Sequence, residues 1–229
     1  MSRRKPPEIW NKEMKSLFVL NKRGPLRILC LGAHADDIEI GCGGAILRLA
    51  TEYSNIDVNW VVFNSTRQRK IEARSSARVF LSNAKRKKII LLDFEDGFFP
   101  YKGERIKKNF EKLKKLLAPD IIFTHYRYDL HQDHQLISEL TWNTFRDHFI
   151  LEYEIVKYDG DLGAPNIFFP LSLSICQKKI GILMKSFKSQ KLKDWFTEDA
   201  FYSIMRIRGI ESRAPEKYAE AFYCRKLVL

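Results

Sequence analysis

Leu26-Arg27-Ile28-Leu29-Cys30-Leu31-Gly32 is a short apolar run, and it leads directly into Ala33-His34-Ala35-Asp36-Asp37-Ile38-Glu39-Ile40-Gly41-Cys42-Gly43-Gly44. The first segment has the length and composition of a buried strand. Within the second, a histidine and three acidic side chains arrive inside six residues, and helical periodicity follows over residues 41–53. The same alternation continues along the chain. Strands are expected at 58–63, 88–92 and 120–124, with an arginine-rich helix at 67–81 and a lysine-rich one at 103–117. Short apolar strands separated by amphipathic helices imply βαβ units with right-handed crossovers and a parallel sheet. The expected fold is therefore α/β: a Rossmann-like, mostly parallel sheet with helices on both faces. After residue 151 the pattern changes, with a strand expected at 152–157, a loop-like stretch at 163–172 and two helices between 173 and 210. No linker separates this part, so a single domain over 26–229 with a C-terminal extension is expected, behind an N-terminal lead-in at 1–25.

Composition narrows the function classes. With 229 residues, 45% of them apolar and 30% charged, the chain can bury a sizeable core without disulfide or metal support. No apolar run approaches the ~20 residues that span a bilayer. The basic start MSRRKPPEIW is followed only by the apolar run at 16–20, short of the roughly 7–15 residues of a secretory leader's core. A cytoplasmic location is expected. Cys30, Cys42, Cys176 and Cys224 are scattered without a CxxC pair and read as free thiols. The net charge of +12 alone does not name a partner. At 103–117 the apolar Ile106, Phe110, Leu113 and Leu117 share a helix face, which leaves Lys107, Lys108, Lys112, Lys114 and Lys115 mostly on the solvated side. Aromatic residues do not interleave with the basic runs, so no nucleic-acid partner is expected. Oligomeric state leaves no signature.

The chemistry sits at two strand ends. The fourth strand ends near His125 and is followed by Asp129-Leu130-His131-Gln132-Asp133-His134. Of the five histidines, four lie in these two segments and only His148 lies elsewhere. In α/β sheets ligands bind beyond the carboxyl ends of the strands. Buried acids there are costly unless a cation compensates them, and two nitrogens, one carboxylate and an open position make a mononuclear zinc site. The competing reading makes Asp36 or Asp37 a helix cap. The Gly41–Gly44 stretch matches neither GxGxxG nor GxxxxGK[ST], so it is read as letting the helix start close to the site.

His34-Ala35-Asp36-Asp37, with Glu39 and the glycines, together with His131-Gln132-Asp133-His134, resembles the LmbE-like (PIG-L) family of zinc-dependent N-acetylglucosaminyl deacetylases. That family usually reads AHPDD and HPDH at these motifs, and it commonly ends in Tyr-Ala-Glu-x-Phe, matched by Tyr218-Ala219-Glu220-Ala221-Phe222. The resemblance implies a small acetamido-sugar substrate and a zinc cofactor, with another divalent ion such as Fe2+ as the alternative. It implies His34, Asp37 and His134 as metal ligands and Asp36 as general base. His131 would stabilise the oxyanion and protonate the leaving amine, Asp133 would orient the active-site histidine, and Asp96 would contact sugar hydroxyls. The sequence departs from the pattern at Ala35 and Gln132, which replace prolines, and at Asn64-Ser65-Thr66-Arg67-Gln68-Arg69, which replaces a Gly-Glu-rich loop. Arg67 is the candidate contact for a phosphate or carboxylate on an anionic substrate; the alternative leaves Arg67, Arg69 and Arg74 solvated. The rival functions are another metal-dependent hydrolase such as a phosphoesterase, and a basic nucleic-acid-binding module.

Overall fold

A computed structural model describes residues 24–228. The lead-in, with the short apolar run at 16–20, therefore lies, but for residues 24 and 25, outside the described residues. Strand β1 (Leu26–Gly32) sends Ile28 and Cys30 into one core and Leu29 and Leu31 into another. Burial on both faces is why its sequence runs apolar instead of alternating. Strands β2 (Ile56–Val62), β3 (Arg86–Leu91), β4 (Ile121–His125) and β5 (Phe149–Tyr153) join it in parallel. With β6 (Ile167–Leu171) and β7 (Tyr218–Tyr223) they form one seven-stranded sheet in the order β3-β2-β1-β4-β5-β7-β6. β7 runs antiparallel to both its neighbours.

Helices cover both faces, as expected. On one side α1 (Asp37–Glu52), α2 (Arg67–Phe80) and α5 (Leu173–Ser186) pack against one another, and α6 (Glu198–Glu211) adds Phe201 and Met205 to the same core. On the other, α3 (Gly103–Leu116) and α4 (Gln132–Thr144) meet over a second core that holds Ile106, Phe110, Leu113 and Ile137. The lysine-rich helix thus buries the face its periodicity indicated. Cys30, Cys42 and Cys176 are buried free thiols, and Cys224 is a half-buried one.

Three elements differ from expectation. Helix α1 starts at Asp37, not near residue 41; every residue from Asp37 to Leu47 is buried, the acids Asp37 and Glu39 included, so no solvated face shows a helical period in the first turn. β5 begins three residues before the expected strand at 152–157. β6 occupies the stretch read as loop-like. It carries Pro170, which suits an edge strand and disguises a strand in sequence. Residues 167–223 thus complete the same sheet.

Two features set the place of the site. The order turns from β2 and β3 on one side of β1 to β4 and β5 on the other, so a crevice opens at the carboxyl ends of β1 and β4. Helix α1 then lies hard on the sheet: a Cβ on Gly41 would stand 2.2 Å from the Tyr153 ring. Only glycine permits that approach, which fixes the height of the acidic first turn above the strands.

Candidate metal centre and active site

Between β1 and α1 the chain turns tightly, and the Asp37 carboxylate accepts the His34 backbone N–H at 2.6 Å. This local loop aims the His34 ring and Asp37 at the end of β4. There the first turn of α4 supplies His134, so that His34 Nδ1, Asp37 Oδ2 and His134 Nε2 form a triangle with edges of 3.1, 3.4 and 3.6 Å. Ligand atoms around a tetrahedral zinc, at bond lengths of roughly 2.0–2.2 Å, lie about 3.4 Å apart. The donor set and its spacing fit one such cation with a fourth position open. His125 is also near, with Nε2 3.2 Å from Asp37 Oδ2. That nitrogen accepts the Ala33 backbone N–H at 2.9 Å, so its lone pair is occupied. His125 instead stacks on the His134 ring, with centroids 3.9 Å apart, and serves as its floor.

Carboxylates hold the far sides of the two ligand-like histidines. His134 Nδ1 meets Asp129 Oδ2 at 2.8 Å, while His34 Nε2 lies 3.3 Å from Asp133 and 3.0 Å from Asp96. Such partners fix ring orientation and tautomer. Asp133, fully buried, also accepts the N–H groups of Gly97 and Phe99 at 2.7 and 3.1 Å, which ties the loop after β3 to α4. Asp129 accepts the His131 N–H at 2.8 Å and lies 3.3 Å from Lys157 Nζ, and Lys157 also pairs with Asp161.

The electrostatics follow from this packing. Burial alone would raise Asp37, but His134, His125 and His34 around it outweigh burial and hold it well below the carboxylate range. Burial also opposes ionisation of Asp129, yet the His134 hydrogen bond and neighbouring positive charge bring it down to about 2. His134 is pushed down to about 4, first by burial and then by His125, and so is neutral at physiological pH, as a metal ligand must be. For His34, burial is overcome by Asp37, Asp133 and Asp96, and the ring is raised well above its ordinary value. A cation entering the triangle would displace that proton.

The remaining candidates line the same crevice. Asp36 stands at the N-cap position of α1 without a side-chain capping bond, so the capping alternative does not hold for it. Its Oδ1 instead receives Arg69 Nη2 at 2.6 Å. His131 caps α4, its Nδ1 accepting the Asp133 backbone N–H at 3.2 Å, so the neutral ring carries its proton on Nε2. Burial, with the charge of His34, lowers its pKa. Nitrogens of His34, His131 and His134 come within 4.8 Å of one another.

A family model described as PIG-L, GlcNAc-PI de-N-acetylase, matches residues 29–145, just over half of the chain, and spans both motifs. The chain belongs to the PIG-L family. Among solved structures, the conserved protein TT1542 from Thermus thermophilus matches with a TM-score of 0.71 at 20% identity, covering 89% of this chain and 96% of that one. N,N'-diacetylchitobiose deacetylase from Pyrococcus horikoshii matches with a TM-score of 0.65 at 22% identity, over 87% and 83% of the two chains. GalB, the 4-carboxy-2-hydroxymuconate hydratase from Pseudomonas putida, does so at 0.65 and 15%, over 89% and 97%. At these identities the likeness is one of fold.

Within this PIG-L chain the fold brings together His34, Asp37, Asp96, His131, Asp133 and His134, with Asp36 next to Asp37 in the chain and held by Arg69. Two details depart from expectation. The Asp133 carboxylate is spent on His34 and the loop after β3, and His131 receives only its backbone N–H. Arg67 stays exposed at the start of α2, and the arginine that reaches the crevice is Arg69, two positions on. Sequence reasoning passed over three contributors. Asp129 stood in the quoted motif segment, and Arg69 in the segment read for Arg67. Lys157 carried no signal, since only the course of the loop after β5 brings it to Asp129.

Proposed function

We propose that the chain is a zinc-dependent hydrolase that removes the acetyl group from an N-acetylated sugar. The observation that carries this reading is the triangle of His34 Nδ1, Asp37 Oδ2 and His134 Nε2, with Asp36 beside it but paired elsewhere. These three residues would hold the ion. Zinc there supplies Lewis acidity, polarising an acetamide carbonyl and acidifying water.

The side chains divide the remaining tasks. Asp36 takes the proton of the attacking water. Arg69 holds one of its oxygens, fixing the rotamer and leaving the other to act as base. His131 presents Nε2–H to the oxyanion that develops on the acetyl carbonyl oxygen. The proton that Asp36 took from water then passes by way of His131 to the departing sugar amine, which leaves Asp36 ionised and the ring neutral as before. Asp133 positions His34, and Asp129, with Lys157 behind it, positions His134. Asp96 is largely exposed and touches His34 through one oxygen, which leaves the other for a sugar hydroxyl. Exposed Arg67 is available to an anionic substituent of the substrate.

Deacetylases among the fold neighbours, the chitobiose enzyme included, support the substrate class. No helix among the described residues is long and apolar enough to cross a membrane, and a cytoplasmic setting, consistent with the free thiols, belongs to the same proposal. The test is zinc-loaded protein incubated with a panel of N-acetylated sugars and their conjugates, assayed for acetate and free amine in equal amounts. Phosphate release from sugar phosphates without acetate would redirect the reading to a phosphoesterase.

A further inference from the structure

The mechanism above leaves the C-terminal Tyr218-Ala219-Glu220-Ala221-Phe222 segment without a task. It forms β7, and the buried Glu220 carboxylate reaches the backbone of α1, accepting Gly44 N–H at 2.7 Å and Ala45 N–H at 2.6 Å. Buried Lys179 of α5 completes the arrangement. It donates to Glu220 Oε1 at 2.7 Å and to the Ile40 carbonyl at 2.6 Å. In a regular α-helix the Gly44 N–H belongs to that same Ile40 carbonyl. A Lys–Glu ion pair is therefore seated across one rung of α1, its anion on the donor and its cation on the acceptor. Gly44 makes room for it, since a Cβ there would stand 2.8 Å from Glu220 Oε1. The rung begins at Ile40, one turn beyond Asp36 and Asp37.

We propose that Lys179 and Glu220 are positioning residues for the metal site: by clamping the Ile40–Gly44 rung to α5 and β7, they hold Asp37 at the spacing that lets it share a cation with His34 and His134. The inference rests on the metal reading above. Neither residue touches the reacting groups. Burying two charges is a weak source of stability against apolar replacements of similar size, whereas a side chain engaged with the helix ladder fixes how the helix is directed. Asp37 lies in the turn of α1 just before that rung.

The test is the affinity of the metal-free full chain for Zn2+, measured by competition with a chromophoric chelator, with Tm recorded alongside. Two variants are compared with wild type: Glu220→Gln, and the double variant Lys179→Met with Glu220→Gln, which leaves no unpaired buried charge. Leu183→Ala, a cavity in the same core, controls for lost stability. The pair variants should bind Zn2+ at least roughly tenfold more weakly, in the range seen when outer partners of metal ligands are removed. Leu183→Ala should bind like wild type at a comparable or lower Tm. Wild-type affinity in the pair variants, an equal loss in Leu183→Ala, or failure of both pair variants to fold overturns the inference. If wild type itself binds no Zn2+, the metal reading has failed and this one falls with it.

Discussion

Asp36 and Asp37 are adjacent in sequence yet meet opposite partners. Asp36 is the N-cap and stands outside the helical turn that Asp37 begins, and Asp37 faces three histidines while Asp36 faces Arg69. That division predicts how variants separate. Asp36→Asn should retain stoichiometric zinc and lose turnover by roughly 10²–10⁴-fold. Asp129→Asn should weaken zinc binding by roughly 10–100-fold while keeping most of its turnover at saturating zinc. Parallel zinc titrations and kcat measurements check both, and a reversed pattern would exchange the two roles. At this scale the histidines and acids were legible because such groups rarely gather at two strand ends without a reason. Arg69 was not separable from Arg67, because the exact phase of α2 decides which one turns inward.

Helix α1 holds a second acid with a different environment. Burial, helped by the charges of Asp36 and Asp37, keeps Glu39 well above the ordinary glutamate range despite Ser76 beside it. A carboxyl raised in the folded state costs nothing below its unfolded pKa and drains stability as pH rises toward its folded value. Glu39→Gln should therefore melt several degrees above wild type at pH 8 and level with it near pH 4, both metal-free. A lower Tm for the variant at pH 8 would show instead that Glu39 is needed as an anion. Among the elements, β1 and β4 were readable because strands buried on both faces announce themselves as apolar runs, and β2 and β3 through their apolar second halves, Trp60, Val61 and Val62 in one and Ile89, Ile90 and Leu91 in the other. The start of α1 and the strand β6 were not, for the first is buried all round, its acids included, and the second contains Pro170.

The whole molecule closes two cores over one sheet without help from the crevice. Zinc should consequently stabilise a chain that is already folded. At a thousandfold excess over Kd the gain is about 4 kcal/mol, on the order of 10 °C in Tm for a chain of this size. A chelator should return Tm to the metal-free value with the circular dichroism at 25 °C unchanged; unfolding at that temperature would mean the metal is part of the fold. The doubly wound sheet was legible as a whole, but the reaction was not, because a hydratase shares the fold. The sheet also ends in a particular way on each side. β3 is outermost on one edge and presents exposed Arg86, Lys87 and Lys88, while β6, outermost on the other, has Pro170 in place of an N–H and its carbonyl already taken by Arg48. A strand arriving from a second molecule would meet clustered cations at one border and a gap in the hydrogen-bond ladder at the other. Part of the basic charge that named no partner is thus placed where it discourages edge-to-edge aggregation.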